Sequence, residues 1–101
     1  NIDDVDSAQM FVMKKLGPLL EYSQKNNVDL FSTLKVYLQN NGNLREASNE
    51  LYIHRSTLEY RIERIEDILN VDLDSAEVRF EFMMAFKLYS LFGLEKVEKI
   101  T

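Results

Sequence analysis

Apolar residues recur along this chain at intervals of three and four, the spacing that places them on one face of an α-helix. Met10, Met13 and Leu16 begin the pattern, and a second set runs through residues 30–38. No run of alternating apolar and polar residues competes with it. The pattern predicts an all-α domain, a helical bundle of about five helices.

Helix-breaking residues divide the first half of this pattern. Residues 1–6 form an acidic lead-in, and Ser7 is a candidate N-cap for the first helix. Gly17-Pro18 predicts a break and a restart, because proline removes a backbone donor and is favoured in a first helical turn. The run Asn40-Asn41-Gly42 predicts the end of the next helix.

Two candidate capping boxes begin the helices of the second half. Asn43 with Glu46 fits the first, in which an N-cap side chain and the residue three positions later satisfy each other's backbone donors. Asp74 with Glu77 fits the second and predicts a final helix from about 75 to 92.

Residues 43–69 have the pattern of a helix-turn-helix unit, with a short helix, a turn and a longer helix. Ala47 is small where the two helices would cross, and Leu51, Ile53 and Leu58 fill the angle between them. Such a unit can project the start of its second helix into a DNA major groove. The same pattern also fits an ordinary helical corner.

Length and charge restrict the functional classes. The 101 residues fit one domain, 1–101, and 12 basic against 17 acidic residues give a net charge of −5. A nucleic-acid site must therefore be a local patch, and residues 54–64 carry three Arg against two Glu. With no Cys and one His, no metal site or cofactor is predicted. No apolar stretch is long enough for a membrane span. The lack of Cys fits a cytoplasmic location.

The sequence resembles the Fis-like helix-turn-helix and, more closely, the C-terminal domain of PucR-type bacterial transcription regulators. That group includes regulators of purine catabolism and of sugar-diacid use. Ser56 stands where the group more often has Asn, and Glu59 where it more often has a basic residue. The segments that carry the resemblance are residues 16–22, 34–43, His54-Arg55-Ser56-Thr57-Leu58, Tyr60-Arg61, 64–66 and 72–74.

The resemblance implies sequence-specific binding of double-stranded DNA by a transcriptional regulator, an activator in this group. It also implies that the chain is the C-terminal fragment of a longer protein with an upstream sensory domain. The candidate DNA-binding residues are Asn43, Arg45, His54, Arg55, Ser56, Thr57, Glu59, Tyr60, Arg61 and Arg64.

Residues at the start of the second helix have the chemistry to read or hold DNA. Arg55 can pair with a guanine edge or a phosphate, and Glu59 can accept from a cytosine amino group. Ser56, Thr57 and the free N–H groups of the first turn can hold a phosphate. His54 is either a base contact or a helix cap.

The remaining candidates are predicted to contact the DNA backbone. A helical projection places Arg61 and Arg64 on one flank of the second helix, with Tyr60 pointing outward. Asn43 and Arg45 would touch phosphate from the start of the preceding helix.

Each of these assignments has a structural alternative. Ser56 and Glu59 fit a capping box if the helix begins later, and Arg55 with Glu59 fits a surface ion pair. Tyr60 can be half-buried in the core. For the whole chain, the acidic flank formed by Glu59, Glu63 and Glu66 favours a protein-interaction module that does not bind DNA. A histidine phosphotransfer module is a weaker rival, because such modules carry their histidine in mid-helix.

The final helix carries two apolar stripes, which is typical of a helix covered on both sides. The first stripe fits the domain core. The second is covered either by the helix from Met10 to Tyr22 or by a partner. That partner is a second copy, in a homodimer through helix 75–92, or the upstream domain. The second stripe comprises Phe80, Met83, Met84, Leu88 and Leu91.

Overall fold

The computed structural model describes residues 2–93, and this part of the chain contains helices and no strand. The helices are α1 (Ile2–Lys25), α2 (Leu30–Gln39), α3 (Leu44–Leu51), α4 (Arg55–Leu69) and α5 (Ala76–Leu91). The prediction of an all-α bundle of about five helices is confirmed. Asn1 and residues 94–101, which the single-domain prediction includes, lie outside the described residues.

The predicted break at Gly17-Pro18 is wrong, because α1 continues through both residues. Pro18 removes one backbone hydrogen bond. Val12 and Leu16 before it and Leu19 after it are fully buried in the same core. Burial on both sides of Pro18 therefore holds the helix together against the local preference of the sequence.

The start of α1 also differs from the prediction. Ser7 lies inside the helix rather than at its N-cap, since α1 begins at Ile2. The acidic residues around Asp4 and Asp6 suit the start of a helix, where the helix dipole favours negative charge. Met10 and Met13 are exposed, and the buried face of α1 is instead the one that carries Val12.

Side-chain caps fix the starts of α2 and α3. Asp29 caps α2 by accepting a hydrogen bond from the Ser32 N–H at 2.9 Å. Asn43 caps α3 by accepting from the Glu46 N–H at 3.0 Å, as predicted. The Asn43 N–H donates to the Asn40 carbonyl, so the reciprocal half of the predicted capping box is not needed.

The N-cap of α5 is Ser75, not Asp74. The Ser75 hydroxyl accepts from the Val78 N–H at 3.2 Å, while the Asp74 N–H donates to the Asp72 carboxylate at 2.9 Å. Leu73 is buried and anchors the connecting segment. This anchored segment uses Asp74 in its own turn, and the helix starts one residue later than the capping pattern indicates.

Helix α2 lies at the centre of the bundle and contacts all four other helices. Phe31 packs its ring against Phe86 and Tyr89 of α5, with centroid distances of 5.0 and 5.1 Å. Ala47 of α3 and Leu58 of α4 are fully buried, as the helix-turn-helix pattern predicts. The core thus fixes α3 and α4 as a rigid pair whose remaining faces meet solvent.

Candidate nucleic-acid interface

His54 caps α4 and thereby sets where the exposed end of this helix begins. Its Nδ1 accepts from the Ser56 N–H at 3.2 Å and lies 2.8 Å from the Ser56 hydroxyl. The helix starts at Arg55, so the alternative of a Ser56 and Glu59 capping box is wrong. Because Nδ1 is the acceptor, the ring proton sits on Nε2, which leaves a donor on the other side of the ring.

The first turns of α4 present their candidate residues to solvent. Arg55, Ser56, Thr57, Glu59 and Tyr60 are all exposed, and Tyr60 retains 64% of its accessible surface. The alternative in which Tyr60 is half-buried in the core is therefore wrong. The Ser56 N–H of this turn donates to His54, and the other N–H groups at the positive end of the helix dipole suit an anion.

Arg55 and Glu59 form the surface ion pair that the sequence spacing allows. The Arg55 Nε donates to the Glu59 carboxylate at 3.2 Å, one helical turn apart. Both side chains are exposed, so the pair contributes only a few tenths of a kcal/mol. Arg55 can exchange this carboxylate for a nucleic-acid acceptor with little effect on stability.

The basic flank of α4 is supported by α1. The Arg64 guanidinium lies 5.8 Å from the centroid of the Tyr22 ring. Hydrogen bonding to Tyr22, followed by its charge interaction, raises the pKa of Arg64 above the ordinary value for arginine. Tyr22, Thr57, Tyr60 and both flank arginines line a cavity of about 210 Å³. Tyr22 therefore orients Arg64 from a distant part of the chain.

Arg61 and the residues at the start of α3 complete the candidate set. Arg61 is half-buried, and its nearest described polar contact is a long one of 3.5 Å to the Thr33 hydroxyl. Arg45 is exposed in the first turn of α3. Asn43 is also exposed, but its side-chain oxygen is already occupied by capping, so only its amide NH2 is left to donate.

The acidic flank of α4 is not a free surface. Glu59 is paired with Arg55. Glu66 accepts from the Leu73 N–H at 2.8 Å and ties α4 to the segment before α5. Glu63 is exposed, and it is the one carboxylate of the three for which residues 2–93 offer no described hydrogen bond or ion pair. Glu66 is thus held by the fold, which weakens the case for an acidic protein-docking face at that residue, whereas Glu59 makes only the weak surface pair and Glu63 is exposed.

Two residues of this region have no place in the sequence-based site. Tyr22 was missed because its contact with Arg64 joins positions far apart in sequence. Tyr52 ends α3 with a left-handed backbone, φ 56° and ψ 41°, and its side chain is 94% exposed. Its signal is visible in the sequence, since a large aromatic stands in a turn where glycine is usual.

Helix α5 keeps a second apolar stripe open to solvent. Its core face is buried, and the Lys15 ammonium joins α1 to Glu81 at 2.7 Å. However, α1 does not cover the stripe, so the prediction that it would do so is wrong. Leu88 is half-buried, and the other members are exposed. The exposed members are Phe80, Met83, Met84 and Leu91.

Other kinds of site receive no support from the described residues. Within residues 2–93, no three histidine or carboxylate side chains are grouped as a metal site would require. None of the described helices has the length and hydropathy to cross a membrane.

Comparison with known proteins gives a consistent match. The family described as the PucR C-terminal helix-turn-helix domain matches residues 30–88. The proline-responsive transcriptional activator PutR of Bacillus subtilis is 32% identical over 74% of this chain and 18% of its own length. The purine catabolism regulatory protein of the same organism is 31% identical over 86% of the chain and 16% of its own length.

A third relative, the carbohydrate diacid regulator of Escherichia coli, is 36% identical over 62% of the chain and 16% of its own length. The chain thus spans less than one fifth of the length of these relatives. No solved structure matches the chain.

Proposed function

Because the chain belongs to the family of PucR C-terminal helix-turn-helix domains, we propose that it binds double-stranded DNA through the start of α4. The observation that carries the proposal is the exposed first turn of this helix, where Arg55, Ser56 and Thr57 face solvent. Its backbone N–H groups and these side chains suit phosphate and base-edge acceptors together. The buried residues of α3 and α4 hold this turn rigid, so that it can dock against DNA.

The charge distribution indicates how α4 meets the duplex. A helix with arginines on one flank and carboxylates on the other cannot lie centred in a groove without bringing carboxylates close to phosphates. We expect the helix to enter by its N-terminal end, rolled toward Arg61 and Arg64. Tyr22 supports this arrangement because it holds Arg64 on the flank that approaches the backbone.

Within this arrangement the candidate residues take separate roles. Arg55 pairs with a guanine edge, and Glu59, released from Arg55, accepts from a cytosine amino group. Ser56 and Thr57 hold a phosphate at the first turn, and Tyr60 reaches the backbone from the middle of the helix. His54 caps the helix and presents its Nε2 donor, while Asn43 and Arg45 contact phosphate from α3.

Alanine at Arg55 is expected to relax sequence preference, because one good base pairing discriminates by about 1–3 kcal/mol. The measurement is fluorescence anisotropy on a duplex from the protein's own upstream intergenic region and on a scrambled duplex, titrated with salt. Arg64→Ala is the matched control, which should weaken both duplexes equally and flatten the salt dependence by about 0.9 in log–log slope.

Equal weakening of both duplexes by Arg55→Ala would instead make Arg55 a phosphate anchor. No binding by the folded parent domain at low salt would contradict the whole proposal and favour the protein-interaction module. Such a module would have kept the helix-turn-helix fold without its groove contacts.

We further propose that residues 1–101 are the C-terminal DNA-binding domain of a longer cytoplasmic regulator with an upstream sensory domain. Two of the relatives are named as a proline-responsive activator and a purine catabolism regulator, which supports regulation by a small metabolite and activation as its direction. These names also support a role other than catalysis.

A second copy of the chain is the occupant we propose for the exposed stripe of α5. Phe80, Met84, Lys87 and Leu91 follow one another at helical intervals along this stripe. An antiparallel pairing of two α5 helices about Met84 would bring the exposed apolar side chains of the two copies together. Because the same apolar stripe stands on both copies, the interface is self-complementary, which favours self-association over an unrelated partner.

Sedimentation equilibrium tests this dimer. Met84→Lys puts two positive charges at the two-fold axis and is expected to give a monomer at concentrations where the parent associates. Met10→Lys, the same change at an exposed position of α1, is expected to leave association intact. A parent that stays monomeric at high concentration, or a Met84→Lys variant that still associates, would refute the dimer.

A further inference from the structure

Tyr52 occupies a backbone conformation that its residue type rarely adopts. It ends α3 with φ 56°, and its N–H donates to the Asn49 carbonyl at 3.2 Å. The Ile53 N–H closes the turn by donating to the Ser48 carbonyl at 3.1 Å. The other non-glycine residues with positive φ in the described chain are Asn41 and Asn70, and asparagine tolerates this region far better than a bulky residue does.

The Tyr52 side chain makes no described packing contact with the core. With 94% of its surface exposed, the ring is not among the side chains that pack against the core within residues 2–93. Its left-handed backbone is sterically unfavourable for a residue with a Cβ. Glycine would close the same turn without this cost. A strained backbone whose side chain does not stabilise the fold points to a role in binding another molecule.

The position of Tyr52 identifies the partner. It lies two residues before His54, the cap of α4, and three before Arg55. When the start of α4 enters a DNA groove, this turn comes close to the DNA backbone that borders the groove. A tyrosine there offers a flat apolar ring for a sugar and a hydroxyl donor for a phosphate.

We propose that Tyr52 contacts the DNA backbone, with its hydroxyl donating to a phosphate at the groove edge and its ring against the adjoining sugar. The inference rests on the proposed DNA binding and adds a contact outside the arginine flank. Because the phenol is neutral, it displaces no counterion. It therefore contributes affinity without sequence preference and without salt dependence of its own.

Tyr52→Gly separates this role from a structural one. The variant relieves the backbone strain, so its melting temperature is expected to stay the same or rise. Its affinity is expected to fall roughly fivefold to tenfold, equally for the native and scrambled duplexes and with an unchanged salt slope. Tyr52→Phe keeps the ring and should lose part of this affinity. Met10→Ala removes an exposed apolar side chain from α1 and should leave DNA binding unchanged.

A second measurement follows the side chain itself. The protein has no tryptophan, so Tyr52→Trp introduces a single reporter at this turn. Quenching by acrylamide, a neutral molecule that DNA does not repel, should be strong in the free protein and much weaker in the complex. Met10→Trp, at an exposed position of α1, should be quenched equally in both states.

The outcomes distinguish this inference from the function on which it rests. Parent-like binding by Tyr52→Gly, with the indole of the Tyr52→Trp variant equally accessible in free and bound protein, would overturn the contact and leave DNA binding standing. A parent domain that binds no duplex at low salt would overturn both. If Tyr52→Gly misfolds, the quenching experiment alone decides the inference.

Discussion

Replacing Arg55, Arg61 and Arg64 together by alanine is expected to lower the affinity for duplex DNA roughly 100-fold or more at low salt. The three guanidinium groups are the cations of α4, and the whole chain carries net negative charge. Without them, the start of α4 loses its base contact and both phosphate anchors. What remains is a helix whose charged groups are carboxylates.

The salt dependence of binding gives this prediction a second, independent readout. Each phosphate contact contributes about 0.9 to the slope of log affinity against log salt, so most of the slope should disappear with the arginines. Lys14, Lys25 and Lys35 are exposed cations on other helices and supply a control with the same change in charge. Their triple alanine variant is expected to bind far better than the arginine variant. Equal losses in the two variants would mean that net charge, not the α4 surface, governs binding.

The fold should survive the arginine substitutions, which makes the binding result interpretable. Arg55 is engaged in an exposed ion pair, and Arg61 makes one long polar contact. Arg64 lies against a single aromatic ring. Exposed ion pairs, long polar contacts and surface cation–π contacts of these kinds contribute little to stability. Circular dichroism of the variant should therefore show parent-like helix content with a modest decrease in melting temperature.

Phe82→Ala is expected to destabilise the domain by about 3–5 kcal/mol, the usual range for removing a buried aromatic side chain. Phe82 of α5 is 2% exposed. The Lys15 ammonium of α1 lies 5.5 Å from the centroid of its ring. Truncation would open a cavity between the helices that make the largest contact in the bundle. For a domain of this size, such a loss is a large share of the total stability.

Phe80→Ala provides the matched control two residues away on the same helix. Phe80 is 61% exposed, so its truncation is expected to change the free energy of unfolding by about 0.5 kcal/mol or less. Urea unfolding of both variants measures the difference between their free energies of unfolding. The protein concentration is kept below that at which the chain self-associates. Comparable losses at the two positions would contradict the assignment of the core face of α5.

The sequence was sufficient to predict the parts of this fold that depend on near neighbours. Asn43 caps α3 and Ala47 is buried at the helix crossing because the first depends on a local hydrogen bond and the second on helical spacing. The same local rules failed at Pro18 and Ser75. At Pro18 the burial of residues on either side outweighed the preference for a break, and at Ser75 the anchored Leu73 shifted the start of the helix.

The candidate site shows the same division. A helical projection was enough to predict that Tyr60 is exposed and that the arginines and the carboxylates of α4 lie on opposite flanks. The contact of Tyr22 with Arg64 and the hydrogen bond from the Leu73 N–H to Glu66 join different elements of the fold. Local patterns carry no trace of such contacts. As a result, the acidic flank looked like a free surface in the sequence, whereas the structure gives part of it a stabilising role.

The central claim is that DNA meets the start of α4, and amide chemical-shift mapping during a titration with duplex DNA at low salt tests it most directly. Non-specific binding under these conditions is enough for the experiment, so the operator need not be known. The account predicts that the largest shifts fall within residues 43–64, at the start of α3, the turn and the first half of α4. Shifts concentrated on α5, or none while the domain remains folded, would contradict it.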